Sequence, residues 1–172
     1  MILRFGILTS SDRSSRGERP DLSGPALAEL VTAQGWKVVC TAIVPDVLDV
    51  LRETLSTWTD GGELDIILTT GGTGFSARDV TPEATSLVID RQAPGLAEAM
   101  RQESRKSTPH AMLSRATAGM RGRVLIINLP GSPKAAVENF QVVLPVLAHA
   151  VELMKADPDA EKHHQPPLAT FL

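Results

Sequence analysis

The sequence predicts an α/β fold of three layers, α/β/α, with a mainly parallel sheet and helices on both faces. Two strongly apolar runs, Leu64-Asp65-Ile66-Ile67-Leu68 and Val124-Leu125-Ile126-Ile127, mark strands buried on both sides. Each leads straight into a loop rich in glycine or proline, Thr69 to Gly74 and Asn128 to Pro133, with a helical pattern beyond. Strand-like and helix-like segments alternate along the chain, which implies parallel pairing with helical crossovers.

The elements follow in order. Ile2 to Thr9 reads as a first strand, then comes a polar loop from Ser10 to Gly17. Ser23-Gly24-Pro25 opens a helix, with Ser23 as cap and Pro25 in the first turn. Leu27, Leu30 and Val31 recur at helical spacing, and Gly35 stops the helix. Trp36 to Val44 is rich in β-formers. Asp46 stands where a helix cap belongs, ahead of Val47, Leu48, Leu51 and Leu55. After the central strand, Thr81 is placed to cap a helix with Pro82 in its first turn. Pro94-Gly95 breaks that helix, and Leu96 to Ser107 supplies another. Ser114 to Asn128 reads as two strands around a turn near Arg121-Gly122. Ser132-Pro133 starts a long helix to about Met154, distorted at Pro145. Residues 1–156 thus form a single domain, and residues 157–172, polar and rich in proline, form a tail.

Composition narrows the function. A 172-residue chain with 42% apolar residues suits one domain with a sizeable core. Four Phe, two Trp and no Tyr give little surface on which to stack bases, and a net charge of −3 argues against nucleic acid and membrane surfaces as partners. One cysteine, Cys40, cannot form a disulfide within the chain and points to the cytoplasm. The N-terminus lacks the pattern of an export signal, and no membrane span is expected.

The chemistry gathers at strand ends. Thr70, Gly71, Gly72, Thr73 and Gly74 leave a buried strand as a loop whose amides can approach a phosphate. Gly72-x-Gly74-x-x-Ala77 loosely matches a dinucleotide fingerprint, but Arg78-Asp79-Val80-Thr81 separates it from the helix, and no Walker lysine follows. The bland alternative is a glycine-rich turn without a ligand. Asp79 is either a turn residue or a carboxylate for Mg²⁺ bridging phosphates. Asp46 is either a cap or a second such carboxylate leaving the sheet on the same side, and Asp12 shares that geometry. Gly131 and Ser132 precede Pro133 at a helix start, which is either an ordinary cap or an anion site. The histidines show no metal-binding spacing, and no nucleophile elbow appears.

Taken together, Gly6 to Arg13, Asp21-x-Ser23-Gly24-Pro25, Val44-Pro45-Asp46, Thr69 to Gly74, Arg78 to Thr85, Pro94-Gly95, Leu113-Ser114-Arg115 and Asn128 to Pro133 resemble the molybdopterin-binding domain family. The likeness covers roughly residues 2–155 and is greatest to the Mog-type molybdopterin adenylyltransferases, a branch that includes the G domain of gephyrin. It implies transfer of AMP from Mg-ATP to molybdopterin with release of pyrophosphate, in molybdenum cofactor biosynthesis. On that resemblance Asp46 and Asp79 hold Mg²⁺ and are the catalytic pair. Ser11, Asp12 and Thr70 to Gly74 serve the nucleotide, and Ser114, Gly131 and Ser132 face the pterin. The family also implies a homotrimer and a separate molybdate-inserting partner protein. The run from Ser11 to Gly17 favours the Mog-type branch. The alternative from another class is a non-catalytic module of the MoaB-like branch that binds molybdopterin and hands it on.

Overall fold

The computed structural model describes residues 1–155; residue 156 and the expected tail, 157–172, lie outside the described residues. In chain order the elements are β1 (Arg4–Ser10), α1 (Asp12–Ser15), α2 (Ser23–Ala33), β2 (Lys37–Val44), α3 (Leu48–Asp60), β3 (Ile66–Thr70) and α4 (Thr81–Val88). There follow β4 (Arg91–Gln92), α5 (Pro94–Ser104), a 3-10 turn over Pro109–Leu113, β5 (Ala118–Arg121), β6 (Val124–Leu129) and α6 (Pro133–Met154). The strands form one sheet in the order β2-β1-β3-β6-β5-β4. β2, β1, β3 and β6 are parallel, and β5 joins β6 and β4 in antiparallel pairs at one edge.

Strand alternation divides the core into two layers. Ile7, Leu68 and Ile127 stand side by side in register, on the face covered by α2, α5 and α6 through Leu27, Met100 and Phe140. Ile67 and Ile126 point the other way, onto Leu51 and Leu55 of α3 and Ala84 and Val88 of α4. With sheet residues buried on both faces, the three-layer α/β/α expectation is met. α6 is long and apolar enough to cross a bilayer by composition, but here Phe140, Val143, Leu147 and Val151 form its core-facing stripe. Pro145 lies on its exposed side, where the missing N–H costs least.

Several cap assignments need correction. Ser23 and Thr81 are the first residues inside their helices, and Leu22 and Val80 occupy the cap positions. Asp21 satisfies the start of α2, accepting from the amides of Ser23 (3.0 Å) and Gly24 (3.1 Å). Asp46 is not a cap: α3 begins at Leu48, and the Asp46 carboxylate faces β1 instead. Ser132 does hold the cap position of α6, but its side chain makes no capping bond. Part of the expected polar loop is the short helix α1, which Ser11 caps through its hydroxyl at 3.1 Å from the Ser14 amide. Pro94 opens α5 rather than interrupting α4, because α4 has already ended and a two-residue edge strand intervenes.

Candidate functional site

β1, β2, β3 and β6 all end at one edge of the sheet, and the loops beyond them enclose a cavity of about 660 Å³. From β1 the chain crosses to β2 on one side, while β3 and β6 lie on the other, so the cavity sits where the strand order reverses. Ser11, Asp12, Asp46, Thr70, Gly71 and Gly72 line it, together with Asp79, Gly131 and Ser132. Thr73, Gly74 and Ser114 are not in its wall. Thr73 and Gly74 are gripped from the outer side of their loop, and Ser114 accepts a bond from the Ala116 amide at 3.4 Å.

The glycine loop is shaped by close contacts. Gly71 has φ +98°, and a Cβ there would lie 2.3 Å from the Ser10 carbonyl oxygen. Gly72 has φ +64°, and a Cβ would lie 2.4 Å from Thr81 Oγ1. Both positions therefore require glycine by conformation and by space. Gly71 donates to the Leu129 carbonyl at 3.2 Å, which ties the loop to β6. Thr70 Oγ1 reinforces that tie, donating to the Pro130 carbonyl at 2.7 Å. The amides of Gly72, Thr73 and Gly74 donate to no atom of the described residues, and of the three only Gly72 lines the cavity. Below the loop, buried Asn128 donates to Thr69 Oγ1 (2.9 Å) and Thr85 Oγ1 (2.8 Å) and accepts from the Thr117 amide (3.3 Å), locking β6 to β3 and α4. Thr81 Oγ1 is buried beside Gly72 with no hydrogen-bond partner among the described residues.

Carboxylates gather in the same cavity. Asp46 accepts from Ser10 Oγ at 2.5 Å and from the Asp12 amide at 2.9 Å. Asp12 accepts the Asp46 amide at 3.0 Å and a fork from Arg78, whose Nη2 is 2.7 Å and Nε 3.0 Å from Oδ2. Arg78 holds the Asp12 carboxyl below the usual carboxylate range; burial opposes the shift and the Asp46 amide adds to it. Asp79 accepts from the Ser76 amide at 2.8 Å and closes a tight turn. Arg115 grips that turn from outside, donating to the carbonyls of Gly74 (Nε, 2.6 Å) and Asp79 (Nη2) and pairing with Glu83. Its own amide donates to the Thr73 carbonyl at 2.9 Å.

Sequence reasoning gives no role to Ser10, Arg13, Arg19, Asp21, Arg78 or Arg115. Arg13 and Arg19 line the cavity, and neither forms a salt bridge among the described residues. Asp21 had a legible signal, an acid two residues ahead of Ser23-Gly24-Pro25. Arg78 and Arg115 had none, since their partners lie 66 and 32 to 41 residues away. Cys40 is half-buried in β2, and burial pushes its thiol up, so it offers no nucleophile.

Among the described residues no group of three or more His, Cys, Asp or Glu side chains can hold a metal alone. Two half-buried carboxylates beside a loop of open amides suit a hard cation that arrives with phosphates. The N-terminus of the 22-residue helix α6 faces the same space through Gly131, Ser132 and Pro133 and adds its partial positive charge.

Comparison with known proteins identifies the family. A model of a probable molybdopterin binding domain matches residues 6–149. The chain is 45% identical over 157 residues to the Drosophila melanogaster molybdenum cofactor synthesis protein cinnamon, covering 90% of this chain but only 26% of that protein. It is 41% identical over 154 residues to a Helicobacter pylori protein named molybdopterin adenylyltransferase, covering 88% of each. The crystal structure of the molybdopterin biosynthesis enzyme MoaB from Thermus thermophilus superposes with a TM-score of 0.85 at 49% identity, over 91% of this chain and 98% of that one.

Proposed function

The chain belongs to the molybdopterin-binding domain family, and from that premise we propose that it is a molybdopterin adenylyltransferase of molybdenum cofactor biosynthesis, transferring AMP from Mg-ATP to molybdopterin. The observation that carries this reading is that Asp46 and Asp79 line one cavity together with Gly71 and Gly72 of the glycine loop at the switch point of the sheet. A module that only bound the pterin would have no use for two carboxylates beside a phosphate cradle.

In the proposed reaction an oxygen of molybdopterin bonds to the α-phosphorus of ATP, the Pα–O–Pβ bond breaks, and pyrophosphate leaves with the electron pair. Such transfers depend chiefly on positioning and charge neutralisation. The Gly72 amide and the N-terminus of α6 orient phosphate oxygens. Arg13 and Arg19 supply countercharge at the mouth. Asp46 and Asp79 would hold Mg²⁺, which when bound neutralises developing charge on the polyphosphate. Gly131 and Ser132 are assigned to the pterin side, with Ser114 beyond the cavity wall.

The proposal extends to a homotrimer in the cytoplasm that passes its product to a molybdate-inserting partner protein. Exposed Phe75, Leu87, Met112 and Leu113 support oligomerisation, since a closed assembly would cover them. The deciding experiment incubates the full chain with molybdopterin, ATP and Mg²⁺ and follows adenylylated pterin and pyrophosphate by mass spectrometry. Both products are expected, and neither should form in EDTA. Pterin binding without transfer would instead establish the hand-over module.

A further inference from the structure

A continuous line of polar contacts joins the loop of Asp46 to the loop of Asp79 through Asp12, which the resemblance gives to the nucleotide, and Arg78, to which it gives no role. Asp46 is oriented by the Ser10 hydroxyl and the Asp12 amide, at 2.5 and 2.9 Å. The Asp12 carboxylate returns the contact by accepting the Asp46 amide at 3.0 Å. That carboxylate also takes the guanidinium of Arg78, with Nη2 at 2.9 Å from Oδ1 and 2.7 Å from Oδ2. Arg78 directly precedes Asp79, whose amide and carboxylate both bond Ser76, at 2.9 and 2.8 Å.

We propose that Asp12 and Arg78 are a positioning pair: their fork fixes the separation of the Asp46 and Asp79 loops, and hence the seat of the cation–nucleotide complex, without either side chain touching the nucleotide. The inference rests on the reading of Asp46 and Asp79 as carboxylates for Mg²⁺. Both Asp12 oxygens already accept hydrogen bonds, so neither is directed at a ligand. A planar guanidinium on a carboxylate sets orientation as well as distance, which one point charge would not do. Stability is a poor reason for it: the Arg78 and Asp12 side chains are 59% and 24% exposed, and such pairs contribute little to folding.

The test is calorimetric titration of the full chain with ADP, once with Mn²⁺ and once in EDTA, for wild type, Arg78→Met, Asp12→Asn and the double variant, with a thermal melt of each. Wild-type binding of Mn-ADP checks the underlying reading first; without it, that reading falls and takes the pair with it. Given that binding, each single variant should weaken Mn-ADP about tenfold or more. ADP affinity in EDTA should stay at the wild-type value, and melting should shift by no more than a few degrees. The double variant should bind no worse than the weaker single, because both remove one interaction. Losses that multiply in the double variant, or an equal loss in EDTA, would place the side chains on the nucleotide and overturn the inference. Unchanged Mn-ADP affinity in all three variants would reduce the fork to a surface ion pair and overturn it equally.

Discussion

Asp46→Asn separates the structural role of this residue from the chemical one. Its oxygens accept from Ser10 Oγ at 2.5 Å and from the Asp12 amide at 2.9 Å. Asparagine can meet both: its carbonyl accepts the Asp12 amide, and its NH₂ turns to Ser10, whose hydroxyl rotates to accept. What disappears is the charge assistance on two bonds, roughly 1 kcal/mol each. Relief of repulsion from the neighbouring carboxylates of Asp12 and Asp79 offsets part of that. The net cost should be about 1 kcal/mol, a melting shift of about 2–4 °C for a chain of this size. Had Asp46 been a helix cap, the cost would have been a few tenths of a kcal/mol, since asparagine caps as well as aspartate. Turnover should respond on another scale, because a neutral amide cannot replace a carboxylate on Mg²⁺. A loss of at least about 100-fold in kcat/KM is expected, or about 2.7 kcal/mol of transition-state stabilisation. The assay is adenylylated pterin formed at a series of Mg²⁺ concentrations, with molybdopterin binding measured separately and expected to persist. Turnover within threefold of wild type, beside the small melting shift, would leave Asp46 only a tie between the β2 loop and α1 and would refute the metal role.

Other perturbations test the frame around the site. Gly71→Ala puts a Cβ 2.3 Å from the Ser10 carbonyl at φ +98°; strain and overpacking together should cost about 3 kcal/mol, read as a melting drop near 10 °C, and an unchanged melt would contradict the close approach. Arg115→Met removes the grip on the Gly74 and Asp79 carbonyls; it should destabilise by about 2 kcal/mol and raise the Mg²⁺ requirement of turnover, which an inert surface arginine would not do. Asp65 is 1% exposed, with Arg4 at 3.1 Å and Lys155 at 2.8 Å. Burial pushes its carboxyl up, but the bonds from Arg4 and Lys155 prevail and hold it below the usual range. A lowered folded-state pKa gives stability that is present above about pH 4 and lost as pH falls through the folded value, so wild type should lose melting temperature below about pH 4 more steeply than Asp65→Asn. Truncation after Ala156 should leave the melt nearly unchanged, and light scattering should give a mass well above the 18.4 kDa of one chain.

What the sequence made legible was whatever depends on a run of neighbours. The unbroken apolarity of Ile66 to Leu68 and of Val124 to Ile127 requires burial on both faces, and that requirement alone implies helices above and below the sheet. Loops that follow such strands must open at one edge, so the convergence of Asp12, Asp46 and Asp79 was accessible before any coordinates. Cap assignments failed at Ser23, Thr81 and Asp46, and at Ser23 and Asp46 the reason is tertiary, whereas Thr81 starts its helix with Oγ1 buried and bonded to no described residue. A side chain that can cap can equally satisfy another partner: here Asp21 accepts the amides of Ser23 and Gly24 at the start of α2, and Ser10 and Asp12 claim Asp46. The arginines were illegible for the complementary reason. Arg78 reaches back 66 residues to Asp12, and Arg115 reaches back 41 and 36 residues to the carbonyls of Gly74 and Asp79; no local pattern encodes such a partner.

That division has a physical consequence for the site. Asp46 and Asp79 lie on separate loops, and nothing in either loop alone sets the distance between them. The distance is set by long-range cationic contacts: Arg115 braces the Asp79 turn from outside, and Arg78 ties it to Asp12 and so to Asp46. Both arginines leave the two metal-side carboxylates untouched by a positive charge, because Arg115 bonds backbone carbonyls and Glu83 while Arg78 bonds Asp12. An arginine bonded directly to Asp46 or Asp79 would compete with a cation for the same oxygens. Placing the positive charge one contact away leaves those carboxylates oriented and free of a competing cation, the condition under which two of them can share a divalent ion with a polyphosphate.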